Sequence, residues 1–402
     1  MGSRVVISTF LLILLSCSGG NKWVETKASR EEFVTTIPVD MNLELMFTEV
    51  VIEDKKYRFL IDTGAPFAIS PEIAKAIGFK ASGSNTTNSS GLKKGRLQYG
   101  KIKEARIGNM RFSNITTYVI DFKRSILLDC LDFDGIVGAN LMNCCVWQLN
   151  PIEKTVTFTN DLNKLDHIDD AYSLNMKKIG GQKSPYIPIQ FNEADPGHAL
   201  FDTGSGHYFT ITYKSYLAAK KEGRADDIEF VQGRGLGSAG VFGSDDTTQF
   251  EIKLNRVQIG EELLENIVTD MSHTDKTKVG MKFVKGRIVT LDFPGKRFFI
   301  KKTSTANLQN QLNTFGISIR PDEAGNMIIG SVYDNSPAAQ KFIRPSNKIL
   351  AIDDLKFTSA DKSCDYFFLA RQKLIEQNSI KLLLADKDGQ REVTLQKSVL
   401  LD

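Results

Sequence analysis

The stretch FLIDTGAPFAIS, residues 59–70, is an apolar run that ends at an aspartate followed by threonine and glycine. The apolar residues before Asp62 predict a buried β-strand, and the carboxylate stands where that strand ends. An unpaired charge buried at a strand end costs several kcal/mol. The stretch therefore predicts either a solvated turn of no consequence or a carboxylate with a partner elsewhere in the chain.

A second copy of the motif occurs in ALFDTGSGHYFTI, residues 199–211. Asp202 follows an apolar run there as Asp62 does, and the two copies lie 140 positions apart. Residues downstream of the motifs match at nearly the same separation: Gly138 with Gly280, Leu149 with Leu291, and Lys154 with Lys296. A chance tripeptide would not recur with its surroundings, so the pattern indicates an internal duplication.

Both copies predict β structure, because they are rich in β-branched and aromatic residues and are broken by polar turns. A short helix is predicted after each motif, with Ser70 and Thr212 as N-caps. The predicted fold class is mainly β, with two similar lobes and a further module. The predicted boundaries are a signal peptide at 1–16, a tether at 17–36, lobe 1 at 37–160, a linker at 161–180, lobe 2 at 181–303 and a C-terminal module at 304–402.

The N-terminal sequence predicts a secretory signal, because Arg4 precedes an apolar stretch that is too short to span a bilayer as a mature helix. The stretch ends in LLSC, which resembles the bacterial lipoprotein box, in which the cysteine is acylated and becomes the first mature residue. We therefore predict an exported protein of the bacterial periplasm or outer membrane, anchored to the membrane by lipid on Cys17. The alternative is an ordinary signal peptide and a secreted protein.

Composition excludes several classes of function. The chain of 402 residues is 41% hydrophobic and 25% charged, as expected of a soluble globular protein. Its 51 basic and 48 acidic residues are interspersed and give a net charge of +3, so no nucleic acid partner is predicted. The four histidines have no metal-site spacing, and neither a metal nor a cofactor is expected. Either Cys130 bridges Cys144 or Cys145, or these thiols are free, and Cys364 is unassigned.

The paired Asp-Thr-Gly-Ser/Ala sequences, together with a later apolar-apolar-glycine such as Ile136-Val137-Gly138, resemble aspartic peptidases of the pepsin and retropepsin type. The resemblance implies a bilobal fold whose pseudo-twofold axis brings Asp62 and Asp202 together as a catalytic dyad that shares one proton. Lys278 stands where this family usually has a second apolar residue, so lobe 2 is expected to be less regular.

The same resemblance gives roles to the neighbours of the two aspartates. Thr63 and Thr203 are expected to hydrogen-bond across the lobe junction, and Gly64 and Gly204 to let the backbone approach the carboxylates. Ser205 is expected to orient Asp202, whereas Ala65 cannot do this for Asp62. Glycine-containing hairpins at 91–102 and 231–243 are candidate flaps over the substrate, with Tyr99, Gly235 and Gly237 as flap residues; the alternative is a mobile surface hairpin.

The last hundred residues resemble a bacterial PDZ domain. Phe315-Gly316-Ile317 stands where such a domain has its carboxylate-binding loop, and 365–376 where it has the helix that lines the peptide groove. The resemblance implies binding of peptide C-termini by strand addition.

Two functions follow from these expectations. The first is an aspartic endopeptidase that acts on peptide or protein substrates. The second is a non-catalytic peptide-binding protein that retains the peptidase fold. The two intact Asp-Thr-Gly triplets favour the enzyme.

Overall fold

The structure is a computed structural model that describes residues 23–29, 32–88, 93–226, 228–237, 240–304, 310–386 and 389–402. The predicted signal peptide and Cys17 lie outside the described residues. The fold is mainly β, as predicted.

Elements are numbered along the chain. Lobe 1 contains β1 (Lys27–Ala28), β2 (Val34–Pro38), β3 (Asp40–Asn42), β4 (Leu45–Ile52), β5 (Lys55–Asp62), β6 (Ala68–Ile69), α1 (Pro71–Ala76), β7 (Ala81–Asn88), β8 (Lys94–Ile107), β9 (Met110–Val119), α2 (Ile126–Asp129), β10 (Gly135–Gly138), α3 (Ala139–Met142), β11 (Val146–Asn150) and β12 (Thr155–Thr159).

Lobe 2 and the segment before it contain β13 (Tyr172–Asn175), β14 (Lys177–Ile179), β15 (Ser184–Phe191), β16 (Gly197–Phe201), β17 (Phe209–Thr212), α4 (Tyr213–Lys221), β18 (Phe230–Leu236), β19 (Asp246–Ile259), β20 (Glu262–Ser272), β21 (Lys278–Val279), α5 (Met281–Val284), β22 (Arg287–Asp292) and β23 (Arg297–Lys302).

The C-terminal module contains β24 (Leu312–Thr314), β25 (Ile317–Pro321), β26 (Met327–Tyr333), α6 (Pro337–Gln340), β27 (Lys348–Ile352), β28 (Leu355–Lys356), α7 (Ser363–Glu376), β29 (Ser379–Asp386), β30 (Gly389–Gln396) and β31 (Ser398–Leu401). Short 3-10 helices lie at Phe122–Arg124, Leu162–Lys164 and Ala360–Lys362.

The two helices predicted after the motifs are confirmed. Ser70 caps α1, because its side chain accepts a hydrogen bond from the backbone N–H of Ile73. Thr212 caps α4 in the same way and accepts from Ser215.

A six-stranded sheet, in the order β13-β23-β22-β11-β12-β2, joins the two lobes. At its centre, β11 of lobe 1 pairs antiparallel with β22 of lobe 2, and Gln148 lies opposite Thr290. The Gln148 side chain donates to the hydroxyl of Thr290 at 3.1 Å, and these residues are 142 positions apart, the separation seen for the downstream repeats. The sheet therefore relates the duplicated halves by an approximate twofold axis.

The strands that carry the motifs are arranged alike in both lobes. In lobe 1, β10 runs parallel to β5 and antiparallel to β6. In lobe 2, β21 runs parallel to β16 and antiparallel to β17. Lobe 2 is the less regular half at this point, as expected, because β21 pairs with only two residues of β16, whereas β10 pairs with four residues of β5.

The C-terminal module has its own apolar core and is joined to both lobes. The core includes Phe315, Ile329, Ile349 and Leu382, all nearly fully buried. Its strand β26 pairs with β18 of lobe 2, so one sheet runs from lobe 2 into the module. A disulfide joins Cys130, just after α2 of lobe 1, to Cys364 in α7.

This disulfide corrects the expectation for the cysteines. The predicted alternatives for Cys130 were a bridge to Cys144 or Cys145, or a free thiol, whereas the structure pairs it with Cys364 across 234 positions. Cys144 and Cys145 are both free, with sulfur atoms 3.9 Å apart. In the described part of the chain, no helix is both long and apolar enough to span a membrane.

Candidate active site

The two motif loops meet at the junction of the lobes. Asp62 is the last residue of β5 and lies opposite Gly138 of β10. Asp202 follows β16, and its backbone N–H donates to the carbonyl oxygen of Val279 in β21 at 2.9 Å. Each aspartate is thus held by the parallel strand pair of its own lobe, and the approximate twofold axis brings the two loops face to face.

Thr63 and Thr203 fasten the loops together by reciprocal hydrogen bonds. The backbone N–H of Thr63 donates to the hydroxyl of Thr203 at 3.0 Å, and that of Thr203 donates to the hydroxyl of Thr63 at 3.1 Å. The Thr63 hydroxyl donates to the carbonyl oxygen of Phe201, and the Thr203 hydroxyl to that of Ile61. Both threonines are buried, so these bonds fix the spacing of the loops in a region shielded from water.

The two glycines allow the carboxyl groups to come together. A Cβ atom on Gly64 would lie 2.6 Å from the nearer oxygen of Asp202, and one on Gly204 would lie 2.5 Å from an oxygen of Asp62. The backbone N–H of Gly64 donates to the carboxylate of Asp62 at 2.8 Å, and that of Gly204 to Asp202 at 3.1 Å. The two carboxyl groups lie close enough that each shifts the pKa of the other.

Lys278 is a component of the site whose role the motif does not indicate. Its Nζ lies 2.9 Å from Oδ2 of Asp202, and the two side chains are only 14% and 7% exposed. The sequence does show the lysine as a departure from an apolar pattern. That it meets Asp202, however, depends on the pairing of β21 with β16. Gln182 is a second such residue, because its side-chain amide donates to the carbonyl oxygen of Gly64 at 2.7 Å.

The surroundings shift the pKa values of the two carboxyl groups in opposite directions. Burial, and then the charge of Asp202, raise the pKa of Asp62 to about 8. Burial also acts to raise the pKa of Asp202, but the charge and hydrogen bond of Lys278 outweigh it and hold that pKa below its usual range. Burial acts to lower the pKa of Lys278, yet the charge of Asp202 raises it overall. Near neutral pH the pair therefore holds one proton, on Asp62.

The orientation of Asp202 by Ser205 stays a prediction, and the structure places Ser205 beside the start of α5. A Cβ atom on Gly280 would lie 3.1 Å from the Ser205 hydroxyl, and the carbonyl oxygen of Ser205 accepts from Met281. None of the hydrogen bonds found among the described residues joins the Ser205 side chain to Asp202. Lys278 contacts Asp202 instead.

The two aspartates line a cleft of about 540 Å³. Lobe 1 contributes an apolar wall formed by Leu60, Ile120, Phe122, Leu128, Phe133 and Ile136, and its β7–β8 hairpin adds polar residues. Lobe 2 contributes the polar and charged residues Thr274, Asp275, Lys276 and Lys278, together with the apolar Leu200 and Val241. The charged residues that line the cleft, apart from Asp62, therefore come from lobe 2.

Both candidate flaps contribute to the cleft, though not through the residues singled out in the sequence. In the β7–β8 hairpin, Asn85, Thr86, Thr87 and Leu97 line the cleft, while Tyr99 packs on Tyr118 with ring centroids 5.8 Å apart. In the hairpin that follows β18, Gly240 and Val241 line the cleft. Gly235 lies at the base of that hairpin opposite Ser331 of the C-terminal module, and the carbonyl oxygen of Gly237 accepts from Arg320 of that module. Residues 91, 92, 238 and 239 lie outside the described part of the chain.

The proposed carboxylate-binding loop is a tight turn at the start of β25. Gly316 has φ of 83°, a conformation that favours glycine. The Phe315 side chain is buried, and the ammonium group of Lys397 lies 5.4 Å from its ring centroid. The predicted groove helix is α7, which lies alongside β25.

Comparisons with known proteins cover parts of the chain. Residues 48–141 match a family model described as aspartyl protease. The match includes Asp62 and ends before the second motif, so the assignment of Asp202 rests on the geometry above. None of the curated proteins compared matches the chain.

Three solved structures are similar to parts of the chain. A retropepsin-like aspartic protease from Rickettsia conorii is 21% identical over 32% of this chain and 94% of its own, with a TM-score of 0.24. Basic 7S globulin from soybean is 11% identical over 67% of this chain and 95% of its own, with a TM-score of 0.38. An aspartic proteinase from Irpex lacteus is 11% identical over 68% of this chain and 99% of its own, with a TM-score of 0.37.

Proposed function

We propose that the chain is an aspartic endopeptidase in which Asp202 is the general base and Asp62 the general acid. The observation that carries the proposal is the reciprocal Thr63–Thr203 bonding, which brings Asp62 and Asp202 together in one cleft. Two such groups share one proton, and a shared proton supplies a base and an acid at one place.

In the proposed reaction, the carboxylate of Asp202 takes a proton from a water molecule as that water attacks the scissile carbonyl carbon. Asp62 gives its proton to the carbonyl oxygen, which yields a tetrahedral diol. Asp202 then passes its proton to the leaving nitrogen as the C–N bond breaks, and Asp62 recovers a proton from a hydroxyl of the diol. Both residues finish as they began, so the enzyme is regenerated without a covalent intermediate.

The asymmetry of the cleft favours particular substrates. The apolar wall of lobe 1 fits a large apolar side chain on one side of the scissile bond. The wall of lobe 2, with Lys276 and Asp275, fits a polar side chain on the other side. An unbiased peptide library should show this contrast in the residues that flank the cut bonds.

Digestion of that library by the full chain tests the proposal, with a pepstatin-type inhibitor as control. Cleavage should fall as the pH rises through about 8, because Asp62 then loses the proton that it must donate. Absence of cleavage at any pH would favour the alternative, a peptide-binding protein that retains the peptidase fold.

The C-terminal module is proposed to bind the C-termini of peptides through Phe315-Gly316-Ile317. Among the described strands, β25 pairs with β26 alone, so an extended peptide can add to its other edge. Lys397 beside Phe315 supplies a positive charge near the loop for a terminal carboxylate. Helix α2 of lobe 1 approaches β25, and its Leu128 lines the cleft, so a protein bound by its C-terminus would lie close to the dyad.

Binding to the module is best measured with the full chain carrying Asp62→Asn, which should not digest its ligands. Peptides with a free C-terminus should bind at least about tenfold more tightly than the same peptides amidated, because the amide lacks the charge that Lys397 attracts. Lys397→Met should weaken binding of the free acids and leave the amides unchanged. Equal binding of acids and amides would contradict this role.

We also propose that the mature chain begins at a lipidated Cys17 outside the cytoplasm. The Cys130–Cys364 disulfide supports export, since such bonds persist mainly in oxidising compartments. Cys17→Ser should release the protein from the membrane fraction into the soluble fraction. Retention of the variant in membranes, or an unmodified mature N-terminus at another residue in mass spectrometry, would exclude the lipid anchor.

A further inference from the structure

Lys278 is a nearly buried charge that the proposed reaction does not use. Its ammonium group contacts Oδ2 of Asp202 at 2.9 Å, inside the cleft. Removing an ammonium group from water is costly, so a lysine persists there only where a partner compensates. The partner is one of the two reacting carboxyl groups.

The duplication shows what the fold itself requires at this position. Lys278 lies opposite Leu200 in the β21–β16 pair, and Ile136 lies opposite Leu60 in the equivalent β10–β5 pair. The equivalent strand of lobe 1 thus has an apolar residue at this position, and Ile136 is almost fully buried. Packing does not call for a lysine at this point, so the charge is better explained by its contact with Asp202.

We propose, on the basis of the proposed peptidase function, that Lys278 is a positioning residue of the dyad that keeps Asp202 as the carboxylate and leaves the shared proton on Asp62. It acts through Asp202 and need not touch the substrate. A consequence is that the pair retains a base at lower pH than the same dyad would without the lysine.

The other charged and titratable groups around the pair agree with this role. Asp62 from β5 and Asp270 from β20 both favour the charged form of Lys278. Tyr186 of β15 also faces Asp202 and Lys278, and its pKa is raised, first by burial and then by Asp275, so the phenol is neutral at ordinary pH. Within the described residues, Lys278 is the cation that forms an ion pair with Asp202.

The test is to replace the lysine and follow both carboxyl groups directly. Lys278→Ile installs the residue that lobe 1 has at the equivalent position, and Lys278→Met is a second variant of similar length. Ile136→Lys combined with Lys278→Ile moves the charge to the other lobe. Lys276→Met, which removes an exposed lysine of the same cleft wall, is the matched control. The readout is the pH titration of aspartate carboxyl carbons by NMR, with assignments from Asp62→Asn and Asp202→Asn.

Loss of Lys278 should raise the titration midpoint of Asp202 by about one pH unit or more, because the charge that favoured its ionised form is gone. The acidic limb of the kcat/KM profile should move to higher pH with it. In the double variant Ile136→Lys with Lys278→Ile, Asp62 should become the carboxyl group with the lower titration midpoint. Lys276→Met should leave the midpoint of Asp202 in place.

An unchanged titration midpoint of Asp202 in both Lys278→Ile and Lys278→Met would overturn the inference. So would a loss of activity that is the same at every pH, with neither limb of the kcat/KM profile shifted. The titration needs no turnover. A wild type that cleaves no peptide would therefore refute the peptidase function, while the NMR result would still decide the role of Lys278.

Discussion

Asp62→Asn and Asp202→Asn should each lower kcat/KM for the best library peptide by at least about 10³-fold. Neither remaining carboxyl group can act as base and acid at once, because an asparagine side chain cannot exchange a proton in the reaction. The double variant should be little worse than either single variant, since the two groups act as one unit. Undiminished cleavage by either single variant would exclude the dyad.

The two variants should differ in stability although they are alike in activity. Asp62 carries the proton near neutral pH, so Asp62→Asn replaces one neutral group by another of similar volume. Asp202→Asn leaves the ammonium group of Lys278 without its carboxylate, which should cost about 1–3 kcal/mol in the free energy of unfolding. Denaturant unfolding at neutral pH measures the difference. Asp202→Asn combined with Lys278→Met should recover most of the loss, and a greater loss in Asp62→Asn would contradict the assigned proton.

The local parts of this site were predictable from sequence because they repeat. The apolar lead-in to each aspartate, the threonine and glycine after it, and the helices capped by Ser70 and Thr212 are short-range features. The duplication places these features at equivalent positions in the two lobes. If the lobes are related by a twofold axis, Asp62 must therefore meet Asp202 and Thr63 must meet Thr203. The structure contains the crossed threonine bonds.

The remaining features depend on contacts that no local pattern encodes. Cys130 pairs with Cys364 because α2 of lobe 1 and α7 both pack against β25, and 234 positions separate the two cysteines. The β18–β26 pairing likewise depends on how the C-terminal module sits on lobe 2. Lys278 is only partly predictable from sequence. Its charge departs visibly from the apolar pattern of the family, but its partner is fixed only by the register of β21 against β16.

Gly64→Ala and Gly204→Ala should each reduce kcat/KM by about 10²-fold or more, because each new methyl group would meet the carboxyl group of the opposite lobe. The Cβ atoms would lie 2.6 Å and 2.5 Å from the nearest carboxylate oxygens, so the opposite aspartate must move. Neither glycine has a positive φ, and alanine therefore fits both backbones without strain. The expected defect lies in the spacing of the two carboxyl groups and not in the folding of either loop.

Gly197→Ala is the matched control for this effect. Gly197 begins β16, the strand that leads to Asp202, and a Cβ atom there would have its nearest neighbour at 4.0 Å, the carbonyl oxygen of Ile189. Its kcat/KM should stay within about twofold of the wild type. Loss of activity in Gly204→Ala with an unchanged melting temperature, next to an active Gly197→Ala, would place the defect at the contact with Asp62. Full activity in both Gly64→Ala and Gly204→Ala would show that the two carboxyl groups need not meet, and the dyad would then have to be abandoned.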